Sequence, residues 1–325
     1  MKKTAIAPSN IAFIKYWGKK DTVFRLPTHS SISMNLSNLL TTTTVEFNHT
    51  YKKDEVMING KQDEKEIKKV VAHLDRIRKK AKIQTYAKVV SENNFPTSTG
   101  LSSSASGFAA LTLAGTVSAG LNLTEKELTI MARIGSGSAC RSIPSGFVEW
   151  KEGVDSDSSY AVSLFPEFYW DIVDIVAVVS NEKKSISTTE GHERAQSSIF
   201  YKTRLINIKI KQKECIRYIK EKEFKKFGEL IEAEALEMHA VMITSYPPLL
   251  YWLPTTILLM KKVMQWRNEG LDCYFTINTG QDIHIICQKK DEKILINKLQ
   301  TIKEVKNIII NYPAKGVRLI ENHLF

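Results

Sequence analysis

Pro96-Thr97-Ser98-Thr99-Gly100-Leu101-Ser102-Ser103-Ser104-Ala105-Ser106-Gly107 is the stretch from which the fold of this 325-residue chain is read. Small side chains let a backbone turn come close to a ligand. The helix that follows presents unpaired amides and a positive dipole end to an anion. Ser102, Ser103 and Ser104 add hydroxyls able to reach phosphate oxygens or a magnesium ion. No Gly-Lys-Ser or Gly-Lys-Thr is present, so this is not the Walker pattern. The plain alternative is a serine-rich loop ahead of a tightly packed helix.

Outward from that loop, strands and helices mix without a regular βαβ repeat, which places the chain in the α+β class. Upstream, Ser31 to Leu36 alternates, and Thr43-Val45-Phe47 followed by Val56-Ile58 before Asn59-Gly60 predicts a hairpin. Ile67, Val70, Val71, Leu74, Ile77 and Ala81 mark one face of a helix. A strand over 85–90 then leads to the serine-rich loop and a small-residue helix over 102–121. Thr124 with Glu127 three residues on signals a capping box. Strands are expected at 146–150 and 171–180, and helices at 192–222, 224–243 and 254–267. A strand–turn–strand over 273–287, a helix and a final strand pair complete the chain. The polar, aperiodic stretch 181–191 is the expected junction between two domains, 1–182 and 183–325.

Composition is that of a globular protein, with 43% hydrophobic and 25% charged residues, which argues against disorder. No apolar run approaches the roughly 18 residues of a membrane span, and the chain is expected to be cytoplasmic with no membrane partner. Forty-six basic against 35 acidic residues give a net charge of +11, which favours anionic partners. The basic stretches 61–82 and 202–226 interleave Asp and Glu, as solvated helix faces do. Cys140, Cys215, Cys273 and Cys287 form no CxxC and no zinc spacing, so no metal cage is encoded by protein side chains.

Two further clusters carry chemistry. Gly135-Ser136-Gly137-Ser138-Ala139-Cys140-Arg141 exposes amides and offers a guanidinium fork for phosphate or carboxylate. Ile14-Lys15-Tyr16-Trp17-Gly18-Lys19-Lys20-Asp21 sets aromatics among lysines, a pattern that by itself reads as a surface anchor. Two anion-friendly loops on a basic protein favour a nucleotide together with a phosphorylated small-molecule substrate.

Taken together, these segments resemble mevalonate diphosphate decarboxylases of the GHMP kinase superfamily. Asn10 to Lys19 is similar to the family's amino-terminal signature, and Phe95 to Gly107 to its ATP loop. Ser136 to Arg141, with Gly146-Phe147-Val148-Glu149-Trp150 after it, resembles the substrate-diphosphate loop. Met238-His239-Ala240 and Pro247-Pro248-Leu249-Leu250-Tyr251 match another family block. The resemblance implies an amino-terminal domain like ribosomal protein S5 domain 2 and a ferredoxin-like carboxy-terminal domain. It also implies ATP and Mg2+ as cofactors, a homodimer, and the family reaction. In that reaction ATP phosphorylates the tertiary hydroxyl of mevalonate 5-diphosphate, and loss of phosphate and carbon dioxide leaves isopentenyl diphosphate.

Carried over by position, Tyr16, Trp17, Gly18, Lys19, Ser136, Gly137, Ser138, Ala139, Cys140 and Arg141 would surround the diphosphate. Thr188 and Thr189 would be contacts from the mid-chain segment 183–191. Ser91, Asn93, Pro96, Ser98, Gly100, Ser102, Ser103, Ser104 and Ser106 would form the ATP site, with Ser104 reaching magnesium through the nucleotide. Lys15, Arg141 and Ser104 would lie at the reacting centre.

One departure stands out. The family places a catalytic Asp in a run of the type T-hydrophobic-D-A-G-P-N, and here the run is Thr276-Ile277-Asn278-Thr279-Gly280-Gln281-Asp282. An amide takes no proton at neutral pH, so general-base catalysis by Asn278 itself is excluded. Asn278 orienting the hydroxyl, Asp282 serving as the carboxylate, and an altered activity such as that of a mevalonate or phosphomevalonate kinase all remain open. A nucleic-acid-binding role for the basic helices would leave both anion loops unexplained, so none is expected.

Overall fold

A computed structural model describes residues 1–95, 100–180, 182 and 186–325. Pro96 and Ser98 of the expected ATP loop lie outside the described residues, as do Lys183, Lys184 and Ser185 of the mid-chain segment.

The first half supplies β1 (Lys2–Ile14), β2 (Ser31–Phe47), β3 (Glu55–Ile58), α1 (Glu64–Ala81), β4 (Ala87–Asn93), α2 (Ser103–Ser118) and α3 (Glu125–Gly135). A 3-10 turn, Gly137–Ser142, leads to β5 (Phe147–Trp150) and β6 (Ala161–Phe165). There follow β7 (Ile172–Val178), α4 (Thr188–Arg194), α5 (Tyr201–Glu221), α6 (Phe224–Ile243) and α7 (Pro254–Asn268). The chain closes with β8 (Cys273–Thr276), β9 (Ile283–Gln288), α8 (Glu292–Gln300), β10 (Asn307–Asn311) and β11 (Arg318–Ile320).

Two sheets organise these elements. In the first, the order is β11-β1-β2-β4-β3, with β5 on the other half of β2 and β6 beyond it. The second runs β10-β7-β9-β8. The α+β expectation therefore holds. The β-branched run Thr41 to Val45 carries the half of β2 that pairs with β4.

Alternation along β7 explains the layering. Ile172, Val176 and Val178 join a core with Ile11 and Phe13 of β1, Ile208 of α5, and Phe227 and Ile231 of α6. Val173, Ile175 and Ala177 point the other way, into a core with Leu259 and Val263 of α7 and Leu295 of α8. A third core packs Val70, Leu74 and Ile77 of α1 and Phe108 and Leu111 of α2 beneath the first sheet. The helix pair α5–α6 thus fills the space between the sheets, and this sets the reactive ends of β1 and β8 against each other.

Several expectations are corrected. Val56–Ile58 is no hairpin partner of β2, because β4 lies between them and β3 pairs with β4 in parallel, joined through α1. Local turn chemistry at Asn59-Gly60 marks the end of β3, and a crossover helix follows. The expected helix 192–222 is broken into α4 and α5. The Ser197 hydroxyl donates to Arg194 O at 2.6 Å, and the Ser198 hydroxyl accepts from Phe200 N at 3.2 Å. These local bonds compete with the helical ladder.

The final strands do not pair with each other. β10 joins β7, and β11 returns to β1. By sheet membership the division therefore falls between β6 and β7, ahead of the expected 182/183 boundary, and the end of the chain rejoins the first sheet. Polarity marked a loop at 181–191, whereas the interior apolar strand that opens the second sheet comes before it.

Candidate active site

Three segments meet in a cleft. β1 ends at Ile14 and delivers Lys15 to Lys19; α2 delivers its amino-terminal turn; the β8–β9 connection delivers Asn278 to Asp282. The 3-10 turn Gly137–Ser142 lies alongside, with Gly137 against the Tyr16 ring.

The start of α2 is electrostatically bare. Its first turn has no acidic residue, and Ser102, at φ +57°, makes no side-chain cap bond. By contrast α1, α3 and α4 begin with Glu in their first turns. Unpaired amides with no resident carboxylate fit a bound anion. Gly100 (φ +114°) brings the loop onto the β8–β9 connection so closely that a Cβ there would lie 2.7 Å from Gly280 Cα. The exposed Ser104 hydroxyl accepts from Ser136 Oγ at 3.4 Å. Ser91, Asn93 and Ser106 are instead engaged within the sheet and the helix start. Ser91 shares a hydrogen bond with Thr43, Asn93 accepts from Thr41, and Ser106 pairs with Thr41 and donates to Ser103 O. Among the described residues, no group of three or more His, Cys, Asp or Glu is placed to hold a metal ion. The hydroxyl donor set at Ser102 to Ser104 fits a magnesium ion that arrives with a nucleotide.

Arg141 is buried. Its Nη1 donates to Ser31 Oγ at 2.7 Å and its Nη2 to Asn10 Oδ1 at 3.2 Å. Arg141 Nε, Tyr16 Oη and Trp17 Nε1 are buried polar atoms with no hydrogen-bond partner among the described residues. Such orphaned donors are costly unless a ligand completes them. Tyr16 packs between Trp150 and His192, at centroid distances of 4.5 and 4.3 Å, and burial pushes its phenol well up. Gly18, at φ +103°, donates its amide to His192 Nδ1 at 3.0 Å, and a Cβ there would overlap the Tyr201 hydroxyl. Burial and the Arg25 charge lower the Lys19 amine. Ser138 is partly buried, whereas Ala139 and Cys140 face the interior, and burial lifts the Cys140 thiol to about 12. Thr188 shares a 2.8 Å hydrogen bond with Thr279, and Thr189 is exposed beside it.

The centre of the cleft is Lys15, 1% exposed, whose Nζ donates to Asn278 Oδ1 at 3.2 Å. Asn278 Nδ2 donates to Ser102 Oγ at 3.2 Å, and the Asn278 carbonyl meets His239 Nε2 at 3.1 Å. Burial drives His239 down to about 3, so the ring is neutral and donates Nε2–H. Burial, helped by the Arg141 and Arg204 charges and opposed by Glu234, lowers Lys15 from 10.5 to about 7. Asp282 is 3% exposed, and its Oδ1 accepts the Val179 amide at 2.9 Å. That bond ties the β8–β9 connection to the end of β7, a structural task that weighs against Asp282 as the displaced base.

A buried brace that sequence reading passed over stands behind Lys15. Glu234 accepts the Lys15 backbone amide at 3.1 Å and pairs with Arg204, whose Nη2 also reaches Lys15 O at 3.3 Å. Glu234 lies on the same helical face as Ile231, Ala235 and Met238, and a charge on an apolar face was the available signal. His239 stood inside a recognised block but had no role assigned to it.

The arrangement joins a bare helix terminus, a buried guanidinium and a low-affinity amine in one cleft. A model of the diphosphomevalonate decarboxylase-like N-terminal domain matches residues 7–161, and one of the mevalonate 5-diphosphate decarboxylase C-terminal domain matches 174–319. The chain belongs to the mevalonate diphosphate decarboxylase family. A diphosphomevalonate decarboxylase of Candida albicans is 36% identical over 311 residues, covering 90% of this chain and 86% of its own. The Staphylococcus aureus mevalonate diphosphate decarboxylase superposes with a TM-score of 0.94 at 38% identity, over 98% of each chain. The Enterococcus faecalis decarboxylase, studied for mevalonate diphosphate-mediated ATP binding, gives 0.92 at 37% identity over 99% of each. A further structure, MDDEF in complex with MVAPP, AMPPCP and magnesium, gives 0.93 at 38% identity over 99% of each. The two matched segments leave 162–173 between them, a stretch that takes in the division between β6 and β7.

Proposed function

We propose that this protein uses ATP to convert mevalonate 5-diphosphate into isopentenyl diphosphate. The observation that carries the reading is the convergence on one cleft of the bare α2 terminus, buried Arg141 and the Lys15–Asn278 pair. Ser102, Ser103 and Ser104 and the α2 amides hold the nucleotide phosphates. Magnesium, entering with ATP beside Ser104, would neutralise phosphate charge. Arg141, Tyr16, Lys19 and the amides of Ser136, Gly137 and Ser138 hold the substrate diphosphate, with Trp17 and Gly18 shaping its pocket and Thr188 and Thr189 closing it. The γ-phosphoryl group passes to the tertiary hydroxyl, and ADP leaves. The phosphorylated carbon then loses phosphate while the carboxylate leaves as carbon dioxide, its bonding pair forming the new double bond.

Incubation with ATP, magnesium and mevalonate 5-diphosphate, reading carbon dioxide and the organic product, tests this. Equal release of both supports the decarboxylase. Asn278 favours one second reading, a kinase, which a stable 3-phosphorylated product without carbon dioxide would establish. We also propose a cytoplasmic homodimer. Four buried free cysteines fit a reducing compartment, and among the described residues no helix is long and apolar enough to cross a membrane. Ile206 and Ile210, 71% and 61% exposed on one face of α5, offer an apolar patch for a second copy, and light scattering reads the mass.

A further inference from the structure

Among the described residues, the Lys15 amine forms no ion pair with a carboxylate. The acid that weighs most on it, Glu234 on α6, turns its oxygens to Arg204, Lys211 and the Lys15 backbone amide. The side-chain amine meets the neutral amide of Asn278 instead. The orientation of that amide is fixed. Its nitrogen donates to Ser102 on the ATP-loop side, so its oxygen faces Lys15, and His239 holds its backbone carbonyl. An amide oxygen can accept an N–H from either an ammonium or a free amine, and unlike a carboxylate it adds no opposite charge that holds the ammonium form. A carboxylate in the same place would hold the ammonium form through charge. Replacing it by Asn278 frees the amine to exist neutral, with a lone pair directed away from its bond to Asn278.

We propose that Lys15 Nζ is the group that receives the 3-hydroxyl proton in this chain, held toward the substrate by Asn278; the proposal rests on the decarboxylase reading above. In the step, the amine lone pair takes the hydroxyl proton as the oxygen bonds to the γ-phosphorus. The bond from that phosphorus to the bridging oxygen breaks, and its electrons leave on ADP. Lys15 is then an ammonium, which returns its proton to solvent or to the departing phosphate. Loss of phosphate and carbon dioxide needs no further base.

The charges that face Lys15 are consistent with this. Glu234 on α6 and Asp174 on β7 favour the ammonium, whereas Arg204 on α5 and Arg141 on the 3-10 turn oppose it, and His239 is neutral. Desolvation outweighs them all and leaves the amine near neutrality. Bound phosphates will raise its proton affinity, so the acidic limb in kcat should lie above that in kcat/KM.

The test compares wild type, Asn278→Asp, Lys15→Met and the double variant. In wild type, kcat/KM for mevalonate 5-diphosphate should rise with pH to a plateau near 7. Asn278→Asp should move that limb at least one unit lower, since the new carboxylate becomes the base and keeps Lys15 charged. Lys15→Met should lower kcat by about 10²-fold or more. Asn278→Asp in that background should restore at least about tenfold, which no purely electrostatic role for Lys15 allows. A nucleotide-dependent thermal shift in each variant shows that it is folded. Without turnover, the ε-methylene NMR signal of ¹³C-labelled lysine that disappears in Lys15→Met should titrate near 7. Titration near 10.5, or a folded double variant no faster than Lys15→Met, overturns the proposal while leaving the decarboxylase reading intact. A wild type that consumes no ATP with the substrate overturns the decarboxylase reading and the proposal with it.

Discussion

Arg141 Nε is a buried donor with no partner among the described residues, while its two terminal nitrogens are anchored on Ser31 and Asn10. Such preorganisation means that truncation removes a charge already paid for in folding, and the ligand feels the loss. Hydrogen bonds to charged groups are worth roughly 1.5–3 kcal/mol each. Arg141→Ala should therefore weaken diphosphomevalonate binding by about 10- to 150-fold, with ATP affinity changed little. Calorimetric titration of each ligand checks it. Ser104→Ala should do the opposite, slowing phosphoryl transfer at nearly unchanged substrate affinity in single-turnover assays. At this scale much of the cleft was legible, because Lys15, Asn278 and Arg141 stand in short, distinctive runs. Glu234 and Arg204 were not, since 30 residues and two helices separate partners that meet only through tertiary packing.

Between elements, two contacts decide whether the cleft closes. At Gly100 the backbone occupies a conformation that L side chains rarely adopt, and the approach to Gly280 leaves no room for a methyl group. Gly100→Ala should push the ATP loop off the β8–β9 connection, at a cost of about 1–3 kcal/mol. Lower ATP affinity in nucleotide titrations should accompany the loss in melting temperature. The second contact is the Arg204–Glu234 pair between α5 and α6, with both side chains fully buried. Arg204→Met would leave the buried Glu234 charge with Lys211 as its remaining ion-pair partner and should cost about 3 kcal/mol in urea unfolding. Helices with a clean period, such as α1, α6 and α7, were readable within a few residues. The β3–β4 pairing and the break between α4 and α5 were not. Parallel pairing leaves no local signature, and the break depends on serine hydroxyls finding neighbours outside the helix.

For the molecule as a whole, buried neutral histidines set the acid limit. Burial lowers His29 to about 4, and His73 and His239 to about 3, from an ordinary 6.5. Below pH 6.5 the unfolded chain binds these protons and the folded one does not. Stability is therefore full above that pH and falls as pH drops toward 4. Three such groups together remove up to about 4 kcal/mol per pH unit. Urea midpoints at pH 7, 6 and 5 should decrease accordingly, and replacing His73 by Gln should flatten the slope by about a third. The α+β class was legible from mixed periodicities, but where the two sheets divide was not, because β7 reads as one more strand until its partners are known.

The return of β11 to β1 also bears on how the protein is made. Thr4, Ala5 and Ile6 leave the ribosome long before their ladder partners Ile320, Leu319 and Arg318, which lie at the far end of the fold. Until β11 emerges, the outer rim of the nascent first sheet stays open, a template for any passing strand. A stalled chain ending before Arg318 should show rapid amide exchange at Thr4–Ile6, and one stalled well beyond Ile320 should not. β11 acts as a latch on β1 that cannot fasten until it has itself been made.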